Sequence, residues 1–213
     1  MPWRIRQTAC AAFVLAGGKS TRMGADKAFL MLHGRTLVQR AIDAARTLTQ
    51  DVSIVGSAFK FQGLAPVIED IFPDCGPLGG IHAALRSSKR DLNLVLAVDV
   101  PFAPAHLMRY LLREAENNSE ASAVVPLIDQ HWQPLCAVYR RDFADVAEIA
   151  LRQGNYKIDA LFCEIKVMPI EARKLAELGF SAEVFSNLNT QEDLARAGGK
   201  FGEHESISGA SQQ

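Results

Sequence analysis

Apolar residues along this chain fall into short continuous runs, separated by longer stretches in which apolar and polar residues mix. Continuous runs of this length are typical of strands that are buried on both faces, as in a parallel sheet. They predict strands at residues 11–15, 52–55, 67–68, 92–98, 121–126, 134–139 and 165–169. The run LNLVLAV at residues 92–98 is the strongest of these strand signals.

The mixed stretches between the runs predict amphipathic helices. Apolar residues recur at helical spacing in residues 37–48 and again in residues 107–115, which predicts that one face of each helix packs against a core. Helices are also expected at residues 81–87, 143–153 and 155–161. A last helix is expected after Asn189, which is a good N-cap with Glu192 three residues later.

Strands and helices alternate through the first two thirds of the chain, and this pattern predicts βαβ units. The expected fold is therefore α/β, with three layers and a mainly parallel central sheet. Residues 1–197 are expected to form a single domain, since neither an internal repeat nor a linker divides them. Residues 198–213 are rich in Gly, Ser and Gln, and this composition predicts a disordered tail.

Residues 13–30, which read FVLAGGKSTRMGADKAFL, carry the clearest chemical signal. A strand breaks here into Gly17 and Gly18, and glycine lets a ligand approach backbone N–H groups closely. Arg22 and Lys27 follow, as cations suited to neutralise a polyphosphate. The alternative is an ordinary turn with a solvated surface. The segment matches neither the P-loop pattern, which needs a glycine five positions before Gly18, nor G-x-G-x-x-G.

Two later segments also have features of a ligand site. Residues 73–80, PDCGPLGG, form a glycine-rich loop before a helix, which is either a second anion site or a plain connection. The strand at residues 92–98 ends at Asp99, and ligands of open α/β sheets lie beyond the carboxyl ends of the strands. A carboxylate there is suited to hold Mg²⁺ beside phosphates. The alternative is that Asp99 only forms a turn before a proline.

Composition argues against several other classes of protein. The chain has 213 residues and a net charge of −1, so nucleic-acid binding, which favours a basic patch, is not expected. No apolar run approaches the roughly 20 residues of a membrane helix, and the N-terminal run is too short for a leader peptide. The four cysteines form no C-x-x-C pair, which favours reduced thiols in a cytoplasmic protein, and the five histidines lack zinc-ligand spacing.

Four segments together resemble the molybdenum cofactor guanylyltransferase family. They stand in that family's order: LAGGKSTRMGADK at residues 15–27, ED at 69–70 with GPLGG at 76–80, VDVP at 98–101, and NLNT at 187–190. The first segment is shared with cytidylyltransferases and sugar nucleotidyltransferases, whereas GPLGG and NLNT narrow the resemblance to the guanylyl branch. The resemblance implies a three-layer Rossmann-like nucleotidyltransferase fold.

The resemblance also implies a reaction. The terminal phosphate of molybdopterin would attack the α-phosphorus of GTP in the presence of Mg²⁺, giving pyrophosphate and the guanine dinucleotide form of the cofactor. Because the attacking phosphate is already an anion, the protein has to align and neutralise charge rather than supply a general base. The family further implies handover of the product to cofactor-insertion proteins or molybdopterin-enzyme chaperones.

Other functions stay open on the sequence alone. A molybdopterin cytidylyltransferase would use CTP with the same Gly17, Lys27 and Asp99. A sugar-phosphate nucleotidyltransferase would share the same first motif. A regulatory module that binds nucleotide without turnover would need only the glycine loop.

Residue roles follow from the resemblance, position by position. The catalytic set would be Lys27, Arg22 and Asp99, with Asp99 as the metal ligand. The GTP-binding set would be Leu15, Ala16, Gly17, Lys27, Asp70 and Asp99. The pterin side would have Gly80, Asn187 and Asn189. This chain departs from the family near Val55 and Gly56, where the family often has Asn, so a nucleotide contact there is either lost or supplied by the backbone.

Overall fold

The computed structural model describes residues 9–18, 26–186, 188 and 193. The strands in these residues are β1 Cys10–Leu15, β2 Met31–Leu32, β3 Arg35–Thr36, β4 Val52–Val55, β5 Val67–Ile68, β6 Leu92–Ala97, β7 Ala123–Ile128, β8 His131–Trp132, β9 Cys136–Arg140 and β10 Val167–Glu171. The α-helices are α1 Leu37–Arg46, α2 Ala58–Phe61, α3 Gly76–Ser87, α4 Ala105–Asn117, α5 Phe143–Arg152, α6 Ile158–Leu161 and α7 Ala172–Glu177. Short 3₁₀ turns lie at Lys27–Phe29 and Ala182–Phe185.

One sheet contains all of these strands except the β2–β3 hairpin. Its order is β10, β7, β9, β6, β1, β4 and β5, with β8 paired to β7. β1 runs parallel to β4 and β6, β4 to β5, and β7 to β10. β9 lies antiparallel between β6 and β7. The predicted α/β fold with a mainly parallel sheet is therefore confirmed.

Helices cover both faces of the sheet, and the side chains of β1 alternate between the two layers. Ala12 and Val14 belong to a core that includes α1 and α4. Phe13 and Leu15 belong to a second core, on the other face, that includes α3 and α5. Burial of a large side chain such as Phe13 contributes about 1.5–3 kcal/mol, which explains why β1 reads as an uninterrupted apolar run.

The order of the strands places a crevice at the end of β1. From β1 the chain passes through α1 to β4 on one side, whereas β6, which follows α3, lies on the other side. The connections change direction at this point of the sheet. In open α/β folds, ligands bind at such a switch point, outside the carboxyl ends of the strands.

Several boundaries differ from those that the sequence predicts. The loop expected through Gly80 is wrong, because α3 begins at Gly76 and its first turn contains Pro77. Proline fits this position, since the first turn of a helix has no use for its missing N–H group. The sequence reasoning also missed short elements with no readable periodicity: β2, β3, α2, β8 and α7.

Of the predicted C-terminal helix only Asp193 is described, and its backbone is helical. The rest of that helix and the predicted tail at 198–213 lie outside the described residues, so they stay predictions, as do the domain bounds. No helix in the described ranges is long and apolar enough to cross a lipid bilayer.

Candidate active site

A cleft of about 510 Å³ opens at the carboxyl edge of the parallel strands. Its walls come from residues that end or follow β1, β4, β5 and β6, from the 3₁₀ turn at Lys27–Phe29, from the residue before β9, and from the N-terminal part of α3. The lining residues are Leu15, Ala16, Gly17, Gly18, Asp26, Lys27, Ala28, Val55, Asp70, Asp74, Gly76, Pro77, Gly80, Ala97, Val98, Asp99 and Leu135.

Backbone hydrogen bonds fix the end of β1 at the base of the cleft. The Ala16 N–H donates to Val55 O at 3.0 Å, and the Val98 N–H donates to Leu15 O at 3.1 Å. Gly18 then adopts a φ of 130°, a conformation that favours glycine. Residues 19–25, which include the predicted catalytic residue Arg22, lie outside the described residues.

Lys27 and Asp99 meet across the cleft although 72 positions separate them. Lys27 is the first residue of the 3₁₀ turn, and Asp99 follows β6. Lys27 Nζ lies 3.3 Å from Asp99 Oδ2, and the two side chains are 13% and 23% exposed. Partial burial strengthens the attraction between the charges compared with a pair in open water. The structure thus brings together two predicted site residues that stand in separate sequence motifs.

The second carboxylate oxygen of Asp99 has the properties of a cation ligand. Asp99 Oδ1 is buried and finds no hydrogen-bond partner among the described residues. Such an oxygen costs about 1–3 kcal/mol or more when it stays unsatisfied. Within the described ranges, no three His, Cys, Asp or Glu side chains come together to hold a metal by themselves. Asp99 therefore fits a hard divalent cation that takes its other ligands from phosphate and water.

Asp70 forms another wall of the cleft with two of the glycines. A methyl carbon placed on Gly80 would lie 3.7 Å from Asp70 Oδ1, and one placed on Gly17 would lie 4.0 Å from Asp70 Oδ2. Asp70 is an exposed residue, but the atoms that surround its carboxyl group still exclude part of the solvent and raise its pKa. The predicted GTP residues Gly17 and Asp70 and the predicted pterin residue Gly80 therefore share one part of the cleft.

The C-terminal segment also reaches this site. The Leu188 N–H donates to Asp99 O at 3.1 Å, and the Leu188 side chain is buried. Asn187 and Asn189, the predicted pterin residues on either side of it, lie outside the described residues. The contact through Leu188 nevertheless ties the chain near the NLNT motif to the loop that carries Asp99.

Comparison with known proteins matches residues 12–165 to the family described as the MobA-like NTP transferase domain. The chain belongs to this family. The molybdenum cofactor guanylyltransferase of Desulfosudis oleivorans is 34% identical over 192 residues, which cover 89% of this chain and 94% of that protein. The probable molybdenum cofactor guanylyltransferase of Pelotomaculum thermopropionicum is 34% identical over 86% of this chain and 89% of its own length.

Solved structures of the family have the same fold. The crystal structure of molybdopterin-guanine dinucleotide biosynthesis protein A from Archaeoglobus fulgidus superposes with a TM-score of 0.79 at 29% identity, covering 91% of this chain and 99% of that one. A more distant likeness, to a CMP:2-keto-3-deoxy-manno-octonic acid synthetase with a TM-score of 0.69 at 10% identity, concerns the fold alone. The Rossmann-like nucleotidyltransferase fold implied by the sequence is confirmed.

The structure gives a steric reason why the asparagine that the resemblance leads one to expect near Val55 would not fit in this chain. A methyl carbon placed on Gly56 would lie only 2.9 Å from Phe61 Cε2, which is closer than real contacts allow. Phe61 is fully buried, so it cannot easily withdraw. An asparagine at position 56 is therefore incompatible with this packing, and the Gly56 N–H is already used, since it donates to Ile68 O at 2.9 Å.

Sequence reasoning overlooked two acidic residues of the cleft. Asp26 and Asp74 both line it, although neither was assigned a role. Asp26 directly precedes Lys27, and Asp74 lies in the PDCGPLGG segment and has a φ of 61°. Their positions inside two motif segments were the available signal, but Asp is so common in turns that a role in ligand binding does not follow from its presence.

Proposed function

We propose that this chain transfers GMP from GTP to the terminal phosphate of molybdopterin, releasing pyrophosphate and forming the guanine dinucleotide cofactor. The observation that carries the proposal is the contact between Lys27, in its 3₁₀ turn, and Asp99, just beyond β6, in a chain of the MobA-like family. Its curated relatives bear the name molybdenum cofactor guanylyltransferase, which favours GTP as the nucleotide.

Lys27 supplies fixed positive charge where the triphosphate would lie. Attacking phosphate and triphosphate are both anions, so a preorganised cation lowers the energy of bringing them together. The backbone N–H groups at Gly17 and Gly18 add donors at the glycine turn. Arg22, from the segment between Gly18 and Asp26, would bring a second cation to the same phosphates.

Asp99 would hold Mg²⁺ through the oxygen that has no partner among the described residues. When bound, such an ion neutralises the charge that builds on phosphate oxygens as pyrophosphate leaves. Asp99 also receives support from the Leu188 N–H on its backbone oxygen, which restrains the loop that carries the carboxylate.

The remaining cleft residues would select the two substrates. Leu15, Ala16 and Gly17 would contact the nucleotide through their backbone, and Asp70 would complete the GTP pocket. Gly80, Asn187 and Asn189 would face molybdopterin.

The four cysteines form no disulfide, in keeping with a reaction in the reducing cytoplasm.

The test is pyrophosphate release by the purified protein with Mg²⁺, a molybdopterin acceptor, and either GTP or CTP. Release with GTP, and little with CTP, is the expected result. Release with CTP alone would replace the guanylyl assignment by a cytidylyl one. The proposal would be overturned if neither nucleotide led to pyrophosphate release although a control enzyme consumed the same acceptor preparation. Acceptor prepared with and without molybdenum identifies the form that is used.

A further inference from the structure

The turn that presents Lys27 to the cleft packs against α1 and also contacts α2. It spans only three residues, Lys27–Phe29, and its cap is Asp26, whose Oδ1 accepts from the Ala28 N–H at 3.1 Å. Ala28 is buried in the core. A short 3₁₀ turn has poor hydrogen-bond geometry. Contacts with neighbouring elements must therefore fix the position of the Lys27 backbone, from which the side chain extends into the cleft.

Helix α2 supplies two such contacts, which differ in kind. Lys60 Nζ lies 2.7 Å from Asp26 Oδ2, between side chains that are 49% and 26% exposed. One residue further along α2, the Phe61 ring stacks on the Phe29 ring, with centroids 5.5 Å apart and an interplanar angle of 18°. Charged and aromatic contacts thus join α2 to both ends of the turn.

Helix α2 is itself fixed to the sheet. Its first N–H group, from Ala58, donates to Glu69 Oε1 at 3.1 Å, and its last residue, Phe61, is fully buried. The close packing of Phe61 over Gly56 places α2 beside the end of β4. The base from which Lys60 reaches Asp26 is therefore tied to the same strand ends that form the cleft.

We propose that Lys60 is a positioning residue for the transfer reaction, which holds the turn of Lys27 in place through its ion pair with Asp26. This inference rests on the proposed function, since it assigns Lys60 a role in binding the same triphosphate.

Lys60→Met removes the charge and keeps most of the side chain's apolar stem. The expected result is a drop of about tenfold in kcat/KM for GTP, because a small displacement of a phosphate-binding group is costly in a preorganised site. Lys60→Arg should retain most of the activity, since it can still pair with Asp26. The melting temperature should change little, because an ion pair between half-exposed side chains contributes little stability.

Lys166→Met is the matched control. Lys166 forms an exposed ion pair with Glu120, next to β7 and β10 and away from the cleft residues. Its removal should leave kcat/KM unchanged. Lys60→Gln gives the same information as Lys60→Met should the methionine variant aggregate.

A double-mutant cycle with Lys27→Met separates positioning from direct binding. If Lys60 acts through Lys27, then Lys60→Met should have almost no further effect once Lys27 is replaced. If the loss of kcat/KM in the double variant equals the product of the two single losses, Lys60 works independently of Lys27, and the proposal is overturned. Wild-type kcat/KM in Lys60→Met would overturn it as well.

GTP affinity measured by calorimetry, with Mg²⁺ and without acceptor, keeps this test separate from the test of the reaction. If the wild-type chain binds GTP but shows no turnover, the proposed function fails. The double-mutant cycle of Lys60→Met and Lys27→Met, measured as GTP affinity, then still decides the role of Lys60. If turnover is normal and Lys60→Met is indistinguishable from wild type in both measurements, only the inference about Lys60 fails.

Discussion

The carboxylates of Asp99 and Glu148 both lie beside cations, but their oxygens are satisfied to different extents. Both oxygens of Glu148, on α5, accept hydrogen bonds: Arg152 donates to Oε1 at 2.7 Å, and Arg86 donates to Oε2 at 2.6 Å. In the cleft, Asp99 Oδ2 contacts Lys27 at 3.3 Å, and Oδ1 has no hydrogen-bond partner among the described residues. A carboxylate with every oxygen paired has a structural role, whereas one with a buried open acceptor is suited to a ligand.

Helix α3 connects the two regions and explains why they occur together. Its N-terminal part, up to Gly80, lines the cleft, and His82 and Arg86 further along the helix join the network with Glu148. The network holds α3 against α5 and so keeps the glycine-bearing end of α3 against the ends of β1 and β4. The carboxylate of Glu148 is fully paired and stabilises the scaffold, although His82 Nδ1 in the same network is buried without a partner among the described residues. In the cleft, the carboxylate of Asp99 keeps one oxygen available for a ligand.

Substitutions at Lys27 and Asp99 should have the largest effect on turnover. Lys27→Met or Asp99→Ala is expected to lower kcat by about 10²–10³, because each removes a preorganised electrostatic contact to the phosphates or their metal. Pyrophosphate release under saturating GTP and acceptor measures the loss. Circular dichroism should show an intact fold, since neither group is needed for the core.

Glu148→Gln is the matched control for that prediction. It removes a carboxylate that has more donors than Asp99, yet turnover should stay within about twofold of wild type, since Glu148 does not line the cleft. Near wild-type turnover in Asp99→Ala would refute the distinction between a carboxylate with an unpaired oxygen and one with both oxygens hydrogen-bonded.

The adjacent glycines of α3 should respond differently to the same added methyl group. On Gly79 it would lie 2.8 Å from the backbone oxygen of Phe72, so the chain must shift. On Gly80 its nearest neighbour would be Leu15 Cδ2 at 3.4 Å, which is an ordinary contact. Gly79→Ala should therefore lower the free energy of unfolding by about 1–3 kcal/mol. Gly80→Ala should leave it unchanged or raise it by up to about 1 kcal/mol through helix propensity.

Urea unfolding of the two alanine variants, side by side, measures this difference. Equal losses at both positions would show that α3 relaxes away from the Phe72 loop, and that its position against the cleft is less fixed than the contacts imply.

The sequence was sufficient for the parts of the site that depend on strand ends. Lys27 could be singled out because it follows a strand and a glycine pair, and Asp99 because it ends the strongest apolar run. Parallel strands bring such positions to one edge, so their meeting follows from fold class. The antiparallel direction of β9 was not foreseeable, because an apolar run has no feature that fixes the direction of its strand.

Contacts between short irregular elements were beyond sequence reasoning. The pair of Lys60 with Asp26 joins residues 34 positions apart and depends on α2, whose four residues AFKF show no periodicity. The start of α3 at Gly76 could not be predicted either, because Gly and Pro occur both in loops and in the first turn of a helix. Local patterns identify long elements, and tertiary packing decides the short ones.

The smallest expected effect concerns the pH dependence of stability at Asp70 and Glu148, which should have opposite signs. Hydrogen bonds from Arg152 and Arg86 lower the pKa of Glu148 from 4.5 to about 2. A lowered pKa in the folded state stabilises the protein above the unfolded value, and that contribution is lost as the pH falls from about 4.5 towards 2. Partial desolvation instead raises the pKa of Asp70 above 3.8, so its ionised form weakly opposes folding at neutral pH, an effect that solvent screens because the residue is exposed.

Melting temperatures of Glu148→Gln and Asp70→Asn, each compared with wild type from pH 7 to pH 3, measure these signs. Glu148→Gln should melt below wild type at pH 7, and the gap should narrow in acid. Asp70→Asn should melt above wild type at pH 7, by no more than about 2 °C because Asp70 is an exposed residue. That gain should shrink as the pH falls and vanish below about 3.8, where the carboxyl group is protonated in both the folded and the unfolded state and resembles the amide. If both variants melted below wild type at pH 7, the ionised carboxylate of Asp70 would stabilise the fold as that of Glu148 does. The difference between the cleft carboxylate of Asp99 and the network carboxylate of Glu148 would then not extend to Asp70.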